Sequence, residues 1–508
     1  MNDFGKDACS GLSQPGRYFF IIVQMGWFFR YRAPNLFDNS CGYRISCQNH
    51  FMPILRRLAK EQGVVTPLVV FAVAITMTFG GGGVGHPLPE LFVQVGVAVI
   101  AALWLWKIPE SQFRSIPKAV WAVVLILLVA PLVQLVPLPP QIWHSLPGRQ
   151  IEVDSLALIG RADSWRPLSM DPALTFSSLL SMASAGMVLV MVASIGRSGR
   201  TLVLGVVLAV ALLSLVPGVV QLNGAPDSIF ALFPTNGGKA RLRGFQNNPN
   251  SQADVLLVAM LCAAAFMRDL VQRRILPDQR WLVIGLVGVA DLALALAVVL
   301  TGSRTGIMML PLVVAGQIAL IRPWLKLRWA NLFISLAGVC AIVAGTYSFL
   351  PDTSPLMVAL DRFSLDHDTR PQIWTNSLYA AGELLPTGAG MGTFVPVFNI
   401  YEPAEAVTDT YVNRAHNDYL ELLLEAGYPG VIALGAIVIL LVLGVVKGLL
   451  AADKRSRGQL FCATLALCVI GLHSLVDYPL RSMSLAGIAA LCAAILLNPK
   501  ANPADYGK

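Results

Sequence analysis

Long runs of apolar residues without a charged side chain are the strongest constraint on the fold of this chain. They recur as Ala119 to Val136, Thr201 to Leu222 and Tyr428 to Val446, and only Asp291 interrupts the run from Trp281 to Leu300. Runs of roughly 17 to 25 apolar residues have the length that an α-helix needs to cross the hydrocarbon core of a membrane. The sequence therefore predicts an all-α polytopic membrane protein.

The composition agrees with this class and excludes others. Of the 508 residues, 56% are hydrophobic and 13% are charged, whereas a soluble domain has about 25% charged residues. The net charge is +8, but the cations lie in short clusters between apolar runs, which is typical of membrane topology and not of nucleic-acid binding. Several cysteines lie in apolar segments, so no disulfide framework is expected. They are Cys262, Cys340, Cys462, Cys468 and Cys492.

The spacing of the apolar runs and of the positive clusters predicts twelve membrane spans. Alternate loops carry Lys and Arg clusters, which places these loops and both termini on the cytoplasmic side. The predicted spans cover residues 64–80, 90–107, 119–136, 173–195, 201–222, 251–267, 281–300, 306–321, 330–350, 429–450, 460–476 and 483–497.

The chain divides into four parts. Residues 1–51 are predicted to be a disordered extension or an incorrectly assigned start, because their apolar run Tyr18 to Phe29 is too short to span and Met52 precedes a positive cluster. The remaining parts are 52–350, with spans one to nine and external loops 137–172 and 223–250; 351–428, a large external loop; and 429–508, with spans ten to twelve and a cytoplasmic tail.

The external loops contain isolated arginines that the topology rule does not explain. Arg243 lies in the segment 239–243, just before a helix start at Asn248-Pro249, and Arg304 lies in the turn 301–306. Helix-start amides and guanidinium groups both favour anions. The alternatives are a solvated positive face for Arg243 and a snorkelling helix end for Arg304.

Other polar residues have simpler interpretations beside functional ones. In loop 137–172, Trp143 and Trp165 suit the membrane interface, and His144 is interpreted as part of the same belt. Asp291, in mid-span, is either functional or paired with a neighbouring helix. Asp254 is interpreted as a first-turn acid favoured by the helix dipole.

The large loop 351–428 is the longest polar interval and the one place where water-facing chemistry can be assembled. A helical pattern begins at Arg370, and the glycine-rich turn Pro386 to Gly392 allows backbone to approach a ligand closely. A second helix is predicted to begin at His416, with Asn417, Glu421 and Glu425 on one polar stripe. Asp366-His367-Asp368 is either a metal site or a solvated turn.

These motifs together resemble the O-antigen ligase and O-antigen polymerase superfamily. The resemblance extends from about residue 240 to 482. The residues that carry it are Asn248-Pro249-Asn250, Ser303-Arg304, the helix 370–374, the turn 386–392, His416 to Leu420 followed by Gly427 and Gly430, and His473 to Pro479.

The resemblance implies a GT-C-type glycosyltransferase of the bacterial inner membrane. Such an enzyme needs no metal and no cofactor, and it transfers a glycan from a polyprenyl diphosphate to lipid A core, a growing polysaccharide or a protein hydroxyl at the periplasmic face. By similarity, His416 would be catalytic, and Arg304, Arg370 and Arg243 would bind the donor diphosphate. Arg414 is a further donor-binding candidate, and the supporting residues would be Asn417, Asp418, Gly427 and Asp291.

The residues are chemically suited to this reaction. Guanidinium groups stabilise a leaving diphosphate without a metal, and a neutral histidine accepts the proton of an attacking hydroxyl. Single displacement would invert the anomeric centre. The alternatives are a flippase for lipid-linked glycans, for which no internal repeat is found, and O-linked protein glycosylation within the same family. No nucleic-acid partner is expected.

Overall fold

The computed structural model describes residues 63–82, 87–222, 241–272, 280–325, 369–407, 411–451 and 456–499. All of them belong to one compact unit, Ile54–Lys508. The predictions for residues 1–51, for the span 330–350 and for Asp366-His367-Asp368 lie outside the described residues.

The described part is built almost wholly of helices. They are α1 (Val65–Phe79), α2 (Pro87–Lys107), α3 (Glu110–Arg114), α4 (Lys118–Gln134), α5 (Pro140–Trp143), α6 (Gln150–Leu158), α7 (Pro172–Ser194), α8 (Arg197–Leu213), α9 (Leu215–Leu222), α10 (Pro249–Gln272), α11 (Arg280–Leu300), α12 (Arg304–Leu325), α13 (Arg370–Leu384), α14 (Phe394–Tyr401), α15 (Asp418–Ala451), α16 (Arg457–His473) and α17 (Met483–Leu497).

A polytopic all-α membrane protein is confirmed. Among the described residues, six helices are long and apolar enough to cross a membrane, and four shorter apolar helices accompany them. The six are Leu88–Lys107, Pro172–Ser194, Arg197–Leu222, Trp281–Leu300, Arg304–Ile321 and Asp418–Leu450. Every predicted span that falls on described residues coincides with a helix. The number of twelve spans stays a prediction.

Helix α10 lies at the centre of the bundle and packs against α8, α11, α12 and α16. Its side chains are buried on every face from Ser251 to Ala265, including Leu257 and Leu261. Several of these residues are alanines, whose small side chains let neighbouring helices approach closely. Because this helix is buried on every face, the polar side chains at its ends must form hydrogen bonds with other protein groups.

A second, smaller core lies outside the main bundle. Helices α13 and α14 pack against the start of α15, and their shared interior includes Ile373, Leu384, Phe398 and Leu424. The rings of Phe394 and Phe398 stack with centroids 5.2 Å apart. This layer fixes where the segment 411–417 enters α15.

The loop between α4 and α7 is ordered as a small hairpin. Two short antiparallel strands, β1 (Pro137–Leu138) and β2 (Arg166–Pro167), pair with Pro137 opposite Pro167. Trp143 is fully buried in this hairpin, and its indole N–H donates to the Ser164 carbonyl. The prediction that Trp143 lies in an interfacial belt is therefore wrong, because the loop folds back on itself and covers the ring. Trp165 remains 63% exposed.

Candidate active site

The ends of four helices meet on one side of the bundle and build the candidate site. Helix α16 ends at His473, α10 and α17 begin beside it, and α15 is attached by hydrogen bonds. The Asp418 amide donates to the Ser474 carbonyl at 2.9 Å, and the Ser474 hydroxyl donates to Asp418 Oδ2 at 3.0 Å. These bonds hold the start of α15 against the end of α16.

His416 precedes α15 instead of beginning it, which differs from the helix predicted there. Helix α15 begins at Asp418, and Asn417 caps it by accepting the Tyr419 and Leu420 amides, both at 3.0 Å. His416 has φ 49°, the only positive φ of a non-glycine residue in the described part of the chain. Such a conformation costs about 1–3 kcal/mol and is found mostly at functional sites, where the surroundings enforce it.

The His416 ring is oriented by two neighbours. Its Nδ1 lies 3.1 Å from Oδ1 of Asp477, and the ring meets Tyr478 edge-on with centroids 5.0 Å apart. The side chain is 27% exposed. When Nδ1–H donates to the carboxylate, Nε2 carries the lone pair and is free to act as a base. The arrangement has the orienting carboxylate that a catalytic imidazole needs.

Asp477 is almost fully buried, with 2% of its surface exposed. Burial by itself would raise the pKa of this carboxyl, but the hydrogen bond and charge of His416 and the charge of His473 lower the pKa below its ordinary value. Asn248 Nδ2 lies 3.3 Å from the other oxygen, Oδ2. The carboxylate is therefore ionised and has partners on both oxygens.

Arg481 gathers three buried carboxylates next to the histidine. Its guanidinium lies 2.7 Å from Glu425, 3.4 Å from Glu421 and 3.5 Å from Asp418. Burial would lower the Arg481 pKa, but these carboxylates raise it above its ordinary value. The polar stripe predicted for this helix is therefore present, and its acids face an arginine of another segment.

The predicted donor-binding arginines occupy different environments. Arg414 donates to Glu421 at 2.7 Å and thus joins the buried ion cluster. Arg370 begins α13 and acts electrostatically on His473, while Arg304 begins α12. Arg243 is half-buried, and burial lowers its pKa. Among the described residues, no carboxylate forms an ion pair with Arg243.

The glycines of the Pro386–Gly392 turn make room for protein, which differs from the ligand approach predicted for them. A Cβ on Gly388 would lie 2.6 Å from the Glu425 carbonyl carbon. Gly427 has φ 57° and interrupts the regular helix, and a Cβ there would overlap the Pro386 carbonyl. The Pro386–Gly392 turn and the kink in α15 therefore pack backbone against backbone, and a side chain at Gly388 or Gly427 would push them apart.

Asp254, predicted to be a first-turn acid, and Asp291, predicted to lie in mid-span, both have partners. Asp254 Oδ1 lies 2.6 Å from His473 Nδ1, and both side chains are 1% exposed. The interpretation of Asp254 as a simple first-turn acid is thus incomplete, because tertiary packing adds a histidine. Asp291 accepts a hydrogen bond from Gln317 at 2.8 Å in the middle of α11, away from His416.

The described residues contain no group of three or more His, Cys, Asp or Glu side chains that could hold a metal ion. The four described cysteines, Cys262, Cys462, Cys468 and Cys492, are free. The chemistry available at the site is that of an imidazole, buried carboxylates and guanidinium groups.

Sequence reasoning missed three residues of this site: Asp477, Tyr478 and Arg481. Asp477 and Tyr478 belong to the motif His473 to Pro479, which follows an apolar helix and contains a carboxylate that could have been selected. Arg481 carries no local signal. Its carboxylate partners come from a helix that begins about sixty residues earlier in the chain.

Comparison with known proteins supports the resemblance seen in the sequence. The family model described as O-Antigen ligase (Wzy_C) matches residues 289–435, the segment that includes Arg304, Arg370 and His416. No curated protein matches the chain. The predicted resemblance is confirmed over residues 289–435, which match the O-antigen ligase family model.

Proposed function

We propose that this protein is a membrane glycosyltransferase that moves a glycan from a polyprenyl diphosphate to an acceptor hydroxyl at the periplasmic face of the inner membrane. The observation that carries the proposal is the His416–Asp477 pair, 3.1 Å apart, with His416 inside the O-antigen ligase domain. The acceptor is lipid A core, a growing polysaccharide or a protein.

His416 is the general base of this reaction. Its Nε2 takes the proton of the acceptor hydroxyl while the new bond from the acceptor oxygen to the anomeric carbon forms and the bond to the diphosphate oxygen breaks. Asp477 keeps the ring in the required tautomer and stabilises the imidazolium that results. Attack opposite the leaving group inverts the anomeric centre.

Arg243, Arg304 and Arg370 bind the donor diphosphate. Arg243 supports this role best, since a half-buried guanidinium without an ion pair in the described residues is available for an external anion. Negative charge develops on the leaving diphosphate as the sugar departs, and guanidinium groups stabilise it without a metal. Arg414 and Arg481 act with the buried carboxylates to hold the start of α15.

The decisive experiment supplies purified protein in nanodiscs with a polyprenyl-diphosphate glycan and candidate acceptors. The wild type should form a covalent product, and His416→Ala should form it about 100- to 10,000-fold more slowly, which is the typical cost of removing a general base. Donor binding and the unfolding temperature of His416→Ala should stay near those of the wild type. Turnover retained by this variant would remove His416 from the mechanism.

The same preparation separates the transferase from a flippase. Movement of the lipid-linked glycan across the bilayer without a covalent product would indicate transport and contradict the proposal. Product on one acceptor class only would identify the acceptor among lipid A core, polysaccharide and protein.

A further inference from the structure

The left-handed backbone conformation of His416 has to be enforced by its surroundings. In this conformation the Cβ atom of an L residue crowds the following carbonyl oxygen, and mainly glycine and asparagine adopt it readily. The φ of 49° at His416 therefore persists because neighbouring groups hold the backbone in place. Relaxation to a negative φ would change the direction in which the imidazole leaves the backbone, and the ring would lose its alignment with Asp477.

The backbone around His416 is held by two other helices of the external layer. The Ala415 amide donates to Oε2 of Glu421, in α15, at 3.1 Å. The carbonyl of His416 itself accepts a hydrogen bond from Nε1 of Trp374, in α13, at 3.3 Å, across 42 positions of the chain. Because a peptide group is planar, this second bond fixes the orientation of the peptide that joins His416 to the next residue.

Helix α13 carries a second residue of the candidate site. Arg370 begins the helix and Trp374 follows four residues later, so the two side chains lie one turn apart on the same face. The neighbouring face of the helix, with Ile373, Ala380 and Leu384, is buried in the smaller core. Packing therefore fixes the position of α13, and with it the relative positions of its arginine and its tryptophan.

Resting on the proposed function, we propose that Trp374 is a positioning residue, whose indole N–H holds the His416 carbonyl and thereby directs the general base toward the acceptor hydroxyl. The same helix carries Arg370 toward the donor diphosphate, so one packed element sets the distance between the base and the leaving group. Trp374 itself does not contact the reacting atoms. Loss of its N–H leaves the substrates bound and the base misplaced.

The kinetic test uses Trp374→Phe, which keeps an aromatic ring and removes the N–H donor. Because a misplacement of about 1 Å can cost 100-fold in rate, kcat should fall about ten- to 100-fold. The KM for a polyprenyl-diphosphate glycan should stay near that of the wild type, since Arg243, Arg304 and Arg370 are unchanged. A raised KM with an unchanged kcat would contradict a positioning role.

Trp143→Phe is the matched control. It also removes an indole N–H from a backbone carbonyl, that of Ser164 at 3.0 Å. Both variants lose one hydrogen bond of the same kind, so their unfolding temperatures should fall by similar amounts. Turnover per folded molecule should stay near the wild-type value in Trp143→Phe only. An equal loss of turnover in both variants would reduce Trp374 to a structural residue and refute the proposal.

A second readout requires no donor, acceptor or turnover. Hydrogen–deuterium exchange with mass spectrometry follows the segment 411–420, in which the amides of Ala415 and Asp418 are hydrogen-bonded. Loss of the bond to the His416 carbonyl should raise the exchange rate of this segment about two- to tenfold in Trp374→Phe, as expected for one hydrogen bond. Trp143→Phe should leave this rate unchanged. Exchange in Trp374→Phe equal to that of the wild type would overturn the proposal.

The two readouts separate this proposal from the proposed function. If the wild type forms no covalent product, the proposed function fails, while faster exchange in Trp374→Phe still shows that the indole holds the His416 backbone. If the wild type is active and Trp374→Phe keeps its kcat, the positioning role alone fails. Should Trp374→Phe fail to fold, β-(3-benzothienyl)alanine placed at position 374 decides both readouts, because it keeps the shape of the indole and carries sulfur in place of the N–H.

Discussion

Buried polar clusters lie at both ends of helices α10 and α16. The two clusters differ in whether any of their polar side chains can be reached by solvent or a ligand. Helix α10 has 24 residues and is about 36 Å long, so the polar clusters at its two ends are far apart. At the end opposite His416, Asp269 accepts from Arg197 at 2.6 Å, Thr201 at 2.7 Å and Gln459 at 2.8 Å. Its carboxylate is fully enclosed by protein donors.

The His416 end is arranged differently. Three buried carboxylates surround Arg481 there. The His416 side chain nevertheless is 27% exposed, and Arg243 has no ion pair in the described residues. Buried polar networks whose hydrogen bonds are all made within the protein add rigidity. Polar groups that keep free hydrogen-bonding capacity and contact with solvent can bind a ligand and react. The comparison shows that a cluster of buried charges does not by itself identify a functional site. A functional site also has polar side chains that solvent or a ligand can reach.

The largest expected effect comes from Arg481→Gln. This change leaves the carboxylates of Asp418, Glu421 and Glu425 buried without their shared cation, and removing one partner of a buried ion pair costs about 3–5 kcal/mol. The variant should give little folded protein by size-exclusion chromatography in detergent. Arg481→Lys should recover part of the yield. A stable Arg481→Gln protein would show that the cluster does not hold α15.

The second largest effect is expected on turnover, for a substitution at the His416 end of α10 and α16. Asp477→Asn keeps the shape of the side chain but loses the carboxylate that orients His416, so turnover should fall about 100- to 10,000-fold with only a small change in unfolding temperature.

The matched change at the opposite end is Asp269→Asn, which weakens the bond to Arg197. It should lower the unfolding temperature while turnover per folded molecule stays near that of the wild type. If the two variants behaved alike, the functional difference between the ends would be refuted.

A smaller effect is expected for Arg243→Gln. Loss of one diphosphate contact should raise KM for the donor about tenfold, which corresponds to one charge-assisted hydrogen bond of roughly 1.5 kcal/mol. Arg241 is the control, because its guanidinium donates to the carbonyls of Thr301 at 2.8 Å and Gly302 at 3.1 Å. Arg241→Gln should lower stability and leave KM unchanged. Equal KM values for both variants would remove Arg243 from the donor site.

The smallest effect is the pH dependence of stability that Asp477 contributes. Its pKa is lowered in the folded protein, so its contribution is complete above the unfolded value of about 3.9 and is lost as pH falls through the folded pKa. The unfolding temperatures of the wild type and Asp477→Asn should converge below about pH 4. A constant difference from pH 3 to pH 7 would contradict the assignment of Asp477 as an ionised, stabilised carboxylate.

Local sequence signals identified most helices and the catalytic candidate but not its surroundings. Apolar runs predicted the bundle because each membrane helix satisfies its own backbone and shows its length directly. The Asn248-Pro249 helix start was also found from a local signal, whereas His416 was selected as the catalytic candidate from the resemblance to the O-antigen ligase and polymerase superfamily. Trp143 was misplaced, since the hairpin that buries it depends on pairing between residues about thirty positions apart.

The sequence by itself determined the class of this protein, its helices and the presence of an O-antigen ligase motif, because these depend on residues close together along the chain. Only the tertiary structure decided that Asp477 orients His416, that Arg481 neutralises Glu421 and Glu425, and that His473 pairs with Asp254. These contacts join residues 56 to 219 positions apart. Charges inside the protein must be paired, and which helix ends meet to pair them is decided by packing.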